Sequence, residues 1–218
     1  MNHPFPAGDI LLLLVILLTV DVVVVMLHKI NSVVLKADYK ELFLYELILC
    51  GVAMLMALPY TIDGLRTKTF GLPDWMVDLL FAGVTSVGLT FLISLCILAP
   101  VKGFVLIFTG SRFFLHGVCP VVAMIAFCFF ISNHVISLRE SVFALIPVML
   151  YAMVYYFMVE ILGPDNGGWD DFYGFLTRIP SWISLISFMP LTFGIASVLR
   201  VLHNKTSRKL SPEQAEIA

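Results

Sequence analysis

Three hydroxyl side chains, Ser86, Thr90 and Ser94, follow one another at intervals of four residues within an apolar stretch of this chain. On a helix, this spacing places all three on one face. A histidine, His116, lies further along the chain, also among apolar residues. Because histidine titrates near neutral pH, it can take the proton from a hydroxyl and so activate it as a nucleophile. The pattern indicates either a hydroxyl nucleophile or hydroxyl donors to a substrate, with His116 as the candidate base.

The same hydroxyl pattern is also typical of packing between membrane helices, where small and hydroxyl residues let two backbones approach closely. Pro120 follows His116 by four residues and has no amide hydrogen, so the carbonyl of His116 loses its α-helical partner. We therefore expect a polar spot at His116. It either serves the chemistry or is a structural histidine inside the bundle.

The elements that must position these side chains are membrane-spanning helices. Of the 218 residues, 60% are hydrophobic and 13% are charged. Spanning segments are helical because lipid offers no partner for backbone amides. The sequence predicts an all-α, polytopic membrane protein, a bundle of six transmembrane helices that forms one domain over 1–203, with a polar C-terminal tail over 204–218. The predicted spans are 10–28, 42–60, 77–99, 113–132, 141–162 and 180–202.

The composition excludes several classes of protein. Six spans leave no chain for a soluble catalytic domain, so any activity must reside in the bundle or its loops. The net charge is −2 and no basic run interleaves with aromatic residues, which argues against nucleic-acid binding. The four cysteines have neither CxxC spacing nor a histidine at metal-site spacing, so the sequence predicts no metal and no cofactor. Membrane lipids are the expected partners.

Lysine and arginine residues in the loops favour a cytoplasmic location for both termini, because cytoplasmic loops carry the excess of these residues. Seven lie on the side of the termini and six on the other. The seven are Arg66, Lys68, Arg139, Arg200, Lys205, Arg208 and Lys209, and the six are Lys29, Lys36, Lys40, Lys102, Arg112 and Arg178. This orientation places the loop at 163–179 outside.

Two carboxylates within the predicted spans are candidate binding residues, because a carboxylate exposed to lipid is costly. They are Asp21 in the first span and Glu46 in the second. The alternatives are that the first span begins later, which moves Asp21 towards the head groups, and that Glu46 reaches the interface from the first turns of its helix.

The outer loop is the other candidate binding region. It is rich in glycine and aspartate, and it carries Trp169, Asp170 and Tyr173. These side chains could bind a cation or a polar head group. The alternative is a folded cap whose aromatic residues sit at the membrane interface.

Three segments, read together, resemble one family. They are Ile-Leu-Ala-Pro at 97–100, His-Gly-Val-Cys-Pro at 116–120, and Tyr-Ala-Met-Val-Tyr at 151–155 with the aromatic segment 169–175. The pattern resembles small bacterial membrane proteins that are distantly similar to the androgen-induced membrane hydrolases. Those multi-span enzymes cleave lipid esters inside the bilayer with a threonine and a histidine. The resemblance covers about residues 77–178 and implies a location in a bacterial cytoplasmic membrane.

The chain departs from that family at one position. The hydrolases carry their threonine early in the second span, where this chain has Phe-Leu-Tyr-Glu at 43–46. We therefore expect Thr90 or Ser86 to take its place in an intramembrane hydrolase that acts on a lipid-like ester. Two alternatives stay open: a small six-span transporter or substrate-binding component with Asp21 and Glu46 near a vestibule, and a structural membrane protein without catalytic activity.

Overall fold

The computed structural model of the protein describes residues 72–109, 113–131, 134–171 and 181–210, together with Met56, Pro59, Tyr60 and Ile62. Within these ranges every regular element is a helix. Three helical runs are long and apolar enough to cross a membrane: Asp74–Lys102, Leu138–Leu162 and Ile186–Ser207. The all-helical class and the apolar spanning helices are therefore confirmed for the described part of the chain.

The three runs coincide with the predicted spans 77–99, 141–162 and 180–202. The predicted span 113–132 coincides with a shorter apolar helix, His116–Phe129. The predicted spans 10–28 and 42–60 lie outside the described residues, except for three helical residues near the end of the second.

The elements follow one another as helices interrupted by short π-helical segments. The α-helices are α1 (Asp74–Ile93), α2 (Ala99–Lys102), α3 (Phe104–Ile107), α4 (Cys119–Phe130), α5 (Leu138–Phe143), α6 (Ile146–Tyr156) and α7 (Ser181–Leu210). The π-helical segments are Ser94–Leu98, Phe114–Val118 and Phe157–Leu162, and a 3₁₀ turn covers Pro164–Asn166. Gly103 separates α2 from α3 with a φ of 99°, a backbone conformation that glycine adopts without strain.

Helix α1 lies at the centre of the described bundle and packs against α4 and α7. Most of its apolar stretch is buried, whereas less than a quarter is buried in the other two spans. Aromatic rings connect the three helices: Phe81 of α1 stacks on Phe127 of α4 at 5.5 Å, and Phe127 stacks on His203 of α7 at 4.7 Å. All three side chains are almost completely buried.

The last turn of α4 receives its hydrogen bonds from α7. The carbonyl of Phe127 lies 3.2 Å from Nδ1 of His203, and Nε2 of the same ring lies 2.8 Å from the carbonyl of His134. The hydroxyl of Thr206 lies 2.6 Å from the carbonyl of Cys128 and 2.6 Å from the carbonyl of Leu202, and its one hydrogen serves either of them. The last carbonyls of a helix have no partner within it, so these side chains replace the water that a buried helix end lacks. Helix α7 accordingly stays helical past the predicted span end at 202.

One glycine sets how closely the three central helices approach. A Cβ atom at Gly88 of α1 would lie 3.2 Å from Cγ2 of Ile195 and 3.3 Å from the sulfur of Met124. Small residues of this kind let membrane helices pack backbone to backbone. The crossing of α1, α4 and α7 therefore depends on the missing side chain at this position.

We expect Gly88→Leu to destabilise the protein by about 1–3 kcal/mol, the usual cost of forcing extra carbons into a packed core. Gly194→Leu is the matched control, because a Cβ there meets nothing within 4 Å. Both changes bring the same gain in helix propensity, so their difference reports the packing. Thermal unfolding in detergent measures it, and equal melting temperatures for the two variants would contradict the packing assignment.

Candidate functional site

A buried hydrogen bond joins a serine and a histidine across two elements. Oγ of Ser94 lies 3.1 Å from Nδ1 of His116. Ser94 is 1% exposed and His116 is 7% exposed, so little water competes for either group. When Nδ1 is unprotonated, the Ser94 hydroxyl donates to it. This is the arrangement that a general base needs to activate a hydroxyl nucleophile.

Both partners occupy π-helical segments. Ser94 begins the segment that follows α1, and His116 is at the middle of the segment that precedes α4. The π-helix is rare and occurs frequently at functional sites, because the wider turn re-aims side chains and backbone groups. The two irregular turns thus place the hydroxyl and the imidazole opposite one another.

Prolines account for the position of these turns. Each π-helical segment ends two residues before a proline, namely Pro100, Pro120 and Pro164. Proline has no amide hydrogen, and its ring crowds the carbonyl four residues earlier. That carbonyl lies inside each π-helical segment, and in the second it belongs to His116. A proline alone is not sufficient, because Pro190 lies within α7, which stays α-helical.

The surroundings of the pair are apolar. A Cβ at Gly117, the neighbour of His116, would lie 3.8 Å from ring atoms of both Phe108 and Phe113. On the other side, Leu95 and Ile97 follow Ser94 and are 37% and 40% exposed. The side chains described beside the polar pair are therefore hydrocarbon groups.

The pair lies at the end of α1 opposite Asp74. Ser94 directly follows the 20 residues of α1, which at 1.5 Å per residue span about 30 Å. That length is close to the thickness of a bilayer's hydrocarbon core. The spanning run continues past Ser94 to Lys102, so Ser94 lies within that run.

The other two hydroxyls of the predicted stripe are buried but bond within their own helix. The Ser86 hydroxyl donates to the carbonyl of Ala82 at 3.0 Å, and the Thr90 hydroxyl donates to the carbonyl of Ser86 at 3.4 Å. Thr90 lies one turn before Ser94 on the same face. The structure thus brings His116 to Ser94, the third member of the stripe, rather than to the two that we expected to supply the nucleophile.

The outer loop lies at the same end of the bundle as the pair, because the span Leu138–Leu162 runs antiparallel to α4. Trp169 donates its backbone amide to the carbonyl of Met158 at 2.9 Å, and its ring meets that of Tyr155 edge-on at 6.3 Å. The Tyr155 hydroxyl donates to a carboxylate oxygen of Asp171 at 2.7 Å. Asp170 is exposed. In this arrangement Trp169 and the Asp171 carboxylate pack against the end of the span Leu138–Leu162, while the side chain of Asp170 is not packed against it.

The remaining candidate binding residues cannot be placed on the structure. Asp21, Glu46 and Tyr173 lie outside the described residues. Their predicted roles stay predictions.

Sequence reasoning included Ser94 in the stripe but did not select it. The sequence nevertheless contains a signal that favours Ser94 as the partner of His116. Two antiparallel helices that are neighbours in the chain meet at their adjoining ends, and His116 opens the second of them. The hydroxyl closest to the end of the first helix is therefore the one within its reach, and that hydroxyl is Ser94.

A second polar cluster was missed altogether. Asp74 and Asp78 of α1 lie close to His134 and Glu140, at the end of the bundle opposite the pair. The two aspartates, spaced by four residues, were a visible signal of a shared helix face. The histidine and glutamate come from a turn more than 50 residues later, and spacing within a sequence does not reveal such a contact.

Comparison of the chain with models of protein families, with curated proteins and with solved structures finds no match.

We expect Ser94 and His116 to be coupled in stability. In a double-mutant cycle of Ser94→Ala and His116→Phe, the coupling energy should be about 1 kcal/mol, the net value of one buried hydrogen bond. The control cycle of Thr90→Val and His116→Phe should be additive within about 0.5 kcal/mol, because the Thr90 hydroxyl bonds within its own helix. Chemical unfolding in detergent gives both values. Equal coupling in the two cycles would refute the pairing.

Proposed function

We propose that this chain is an intramembrane hydrolase that cleaves a lipid-like ester, with Ser94 as the nucleophile and His116 as the general base. The observation that supports the proposal is the buried contact of 3.1 Å between the serine oxygen and the imidazole nitrogen. A hydroxyl needs such a base within hydrogen-bond reach to become nucleophilic. The resemblance to the androgen-induced membrane hydrolases supports it as well, with a serine of the third span standing in for their threonine.

The reaction follows from the two side chains. His116 takes the proton of the Ser94 hydroxyl while the serine oxygen attacks the ester carbonyl. His116 then gives that proton to the leaving alcohol, and an acyl-serine is left. A water molecule, deprotonated by His116, attacks the acyl-serine and releases the carboxylic acid, and the serine regains its proton. Acylation and deacylation each return His116 to its starting state, so the pair works without a cofactor.

The position of the pair favours a substrate with an acyl chain. Near the boundary of the hydrocarbon core, a lipid presents its ester carbonyl while its chain stays in the bilayer. The exposed apolar side chains of Leu95 and Ile97 beside Ser94 suit such a chain. We therefore assign an ester with a long acyl chain that approaches from the lipid, rather than a water-soluble ester.

We expect a fluorophosphonate probe with an alkyl chain to form a covalent bond to the Ser94 oxygen with loss of fluoride, as peptide mass spectrometry would detect. Ser94→Ala removes the site of labelling, and His116→Ala removes the base. Each should lower hydrolysis of a long-chain ester about 10³-fold or more. The double variant should be no worse than either single one, because such residues act as a unit.

Thr90→Val and Ser86→Ala are the matched controls on the same helix face, and both should keep labelling and hydrolysis near the wild-type level. Monodisperse elution in detergent establishes that each variant is folded. Labelling at a different residue, or full activity in Ser94→Ala, would show that this serine is not the nucleophile.

The proposal places the site in a six-span bundle with both termini in the cytoplasm and the outer loop outside. Two substitutions test this orientation with a membrane-impermeant maleimide on intact cells. Asp165→Cys should label from outside, and Lys205→Cys should label after the cells are permeabilised, since both positions are exposed. Gly168 is unsuitable, because a Cβ there would overlap the carbonyl of Met158.

The wild-type chain corrects for labelling of its own four cysteines. The reverse pattern, with Lys205→Cys labelled on intact cells, would reverse the orientation. Labelling of both positions from outside would overturn the antiparallel arrangement of the last two spans.

A further inference from the structure

Four ionisable side chains converge at the end of the bundle opposite Ser94 and His116. Asp74 and Asp78 belong to the first turns of α1, His134 precedes α5, and Glu140 lies in the first turn of α5. Nδ1 of His134 lies 3.1 Å from Oδ1 of Asp74. Nε2 of the same ring lies 3.4 Å from Oε1 of Glu140 and 3.9 Å from Oδ1 of Asp78.

The two sides of the imidazole have different roles in this geometry. At 3.1 Å, Nδ1 is close enough to donate an N–H to the carboxylate of Asp74. With the proton on Nδ1, the lone pair of Nε2 points at the carboxylates of Asp78 and Glu140. Metal-binding histidines are held in the same way, with one ring nitrogen donating to a carboxylate and the other left to bind the ion.

Two buried atoms of the cluster lack a hydrogen bond of good geometry. Nε2 of His134 and Oδ1 of Asp78 have almost no solvent access, and within the described ranges the contact of Nε2 with Glu140 at 3.4 Å is poorly aligned. Polar atoms in this condition are rare, and each points to a missing proton donor, water or ion. Ligand atoms of Asp78, His134 and Glu140, one from each residue, lie within 4.8 Å of one another.

The charge of the cluster is unbalanced. Three carboxylates surround one imidazole, and in the part of the chain that the structure describes no lysine or arginine pairs with them. An ion that binds oxygen and nitrogen at about 2.0–2.2 Å requires its ligands to lie within about 4.4 Å of one another. The two spacings from Nε2 satisfy that limit, and rotation of a carboxylate adjusts the third.

We propose that Asp78, His134 and Glu140 bind one divalent transition-metal ion, such as Zn²⁺ or Mn²⁺, with Asp74 as the residue that orients the imidazole. A nitrogen ligand among carboxylates favours these ions over Ca²⁺ and Mg²⁺, which prefer oxygen alone. The ion ties the start of α1 to the start of α5. This site is independent of the proposed hydrolase chemistry.

The backbone that carries His134 is held in place from α7. The side chain of Asn204 accepts the amide of Ile136 at 2.9 Å and donates to its carbonyl at 2.8 Å. Nε2 of His203 lies 2.8 Å from the carbonyl of His134. These bonds fix the segment before any ion binds, which lowers the ordering cost of binding.

Glu140 is held by the start of its own helix. One of its carboxylate oxygens accepts the amide of Ser137 at 2.5 Å, while the Ser137 hydroxyl accepts the amide of Glu140 at 3.3 Å. This reciprocal capping box uses Oε2 and leaves Oε1 directed at His134. The glutamate can therefore cap α5 and contribute a ligand at the same time.

Manganese binding tests the site. The full chain, purified in detergent through a tag without histidines and stripped with chelator, is titrated with Mn²⁺ while electron paramagnetic resonance measures the free ion. We expect one ion per chain, with competition by Zn²⁺. Asp78→Asn and Glu140→Gln should each weaken binding at least tenfold, because they keep the shape of the side chain and remove its charge. Asp74→Asn should weaken it 10–100-fold through the orientation of the ring.

Asp165→Asn, at an exposed carboxylate of the outer loop, is the matched control and should bind as the wild type does. The spin-echo modulation of the bound Mn²⁺ should show a coordinated nitrogen, and His134→Gln should abolish it. Elution of each variant in detergent and its melting temperature without metal show whether it is folded. No binding by the folded wild type, equal binding by Asp78→Asn, or an unchanged nitrogen signal in His134→Gln would overturn the proposal.

Discussion

The membrane leaves the backbone no partner but itself, and prolines break that pairing at fixed points in this chain. Three of them follow π-helical segments by two residues, and two of these segments carry Ser94 and His116. The helices on either side keep regular hydrogen bonding and hold the irregular turns in place. The candidate catalytic residues therefore lie in the π-helical segments. The packing of the α-helices on either side determines which of these segments contact one another.

Helix α1 carries a polar group at each of its ends. Asp74 and Asp78 stand in its first turns, and Ser94 follows its last residue. Between them the helix is buried, and the crossing at Gly88 sets its distance from α4 and α7. One rigid element thus fixes both polar sites, one at each of its ends. A change in the packing of α1 would therefore alter the geometry of both sites.

Much of this organisation could be predicted from the sequence. The apolar stretches gave the helical class and located the three spanning runs, and the spacing by four correctly grouped Ser94 with Thr90. What the spacing could not give was the partner of His116, since that depends on how two helices meet. The cluster around His134 was not predicted for the same reason: two of its carboxylates come from α1, while its histidine and its third carboxylate come from the distant segment at the start of α5. Helical periodicity shows which residues share one face of one helix. A site formed between helices can be located only when the packing of those helices is known.

The hydrogen bonds at the end of α4 have a consequence for how the chain is assembled during synthesis. The carbonyls of Phe127 and Cys128 lie within hydrogen-bond distance of His203 and Thr206, which the ribosome adds more than 70 residues later. Until then, these carbonyls depend on water or on head groups at the membrane surface. Folding of this end of the bundle is complete only when the last described helix has emerged and docked.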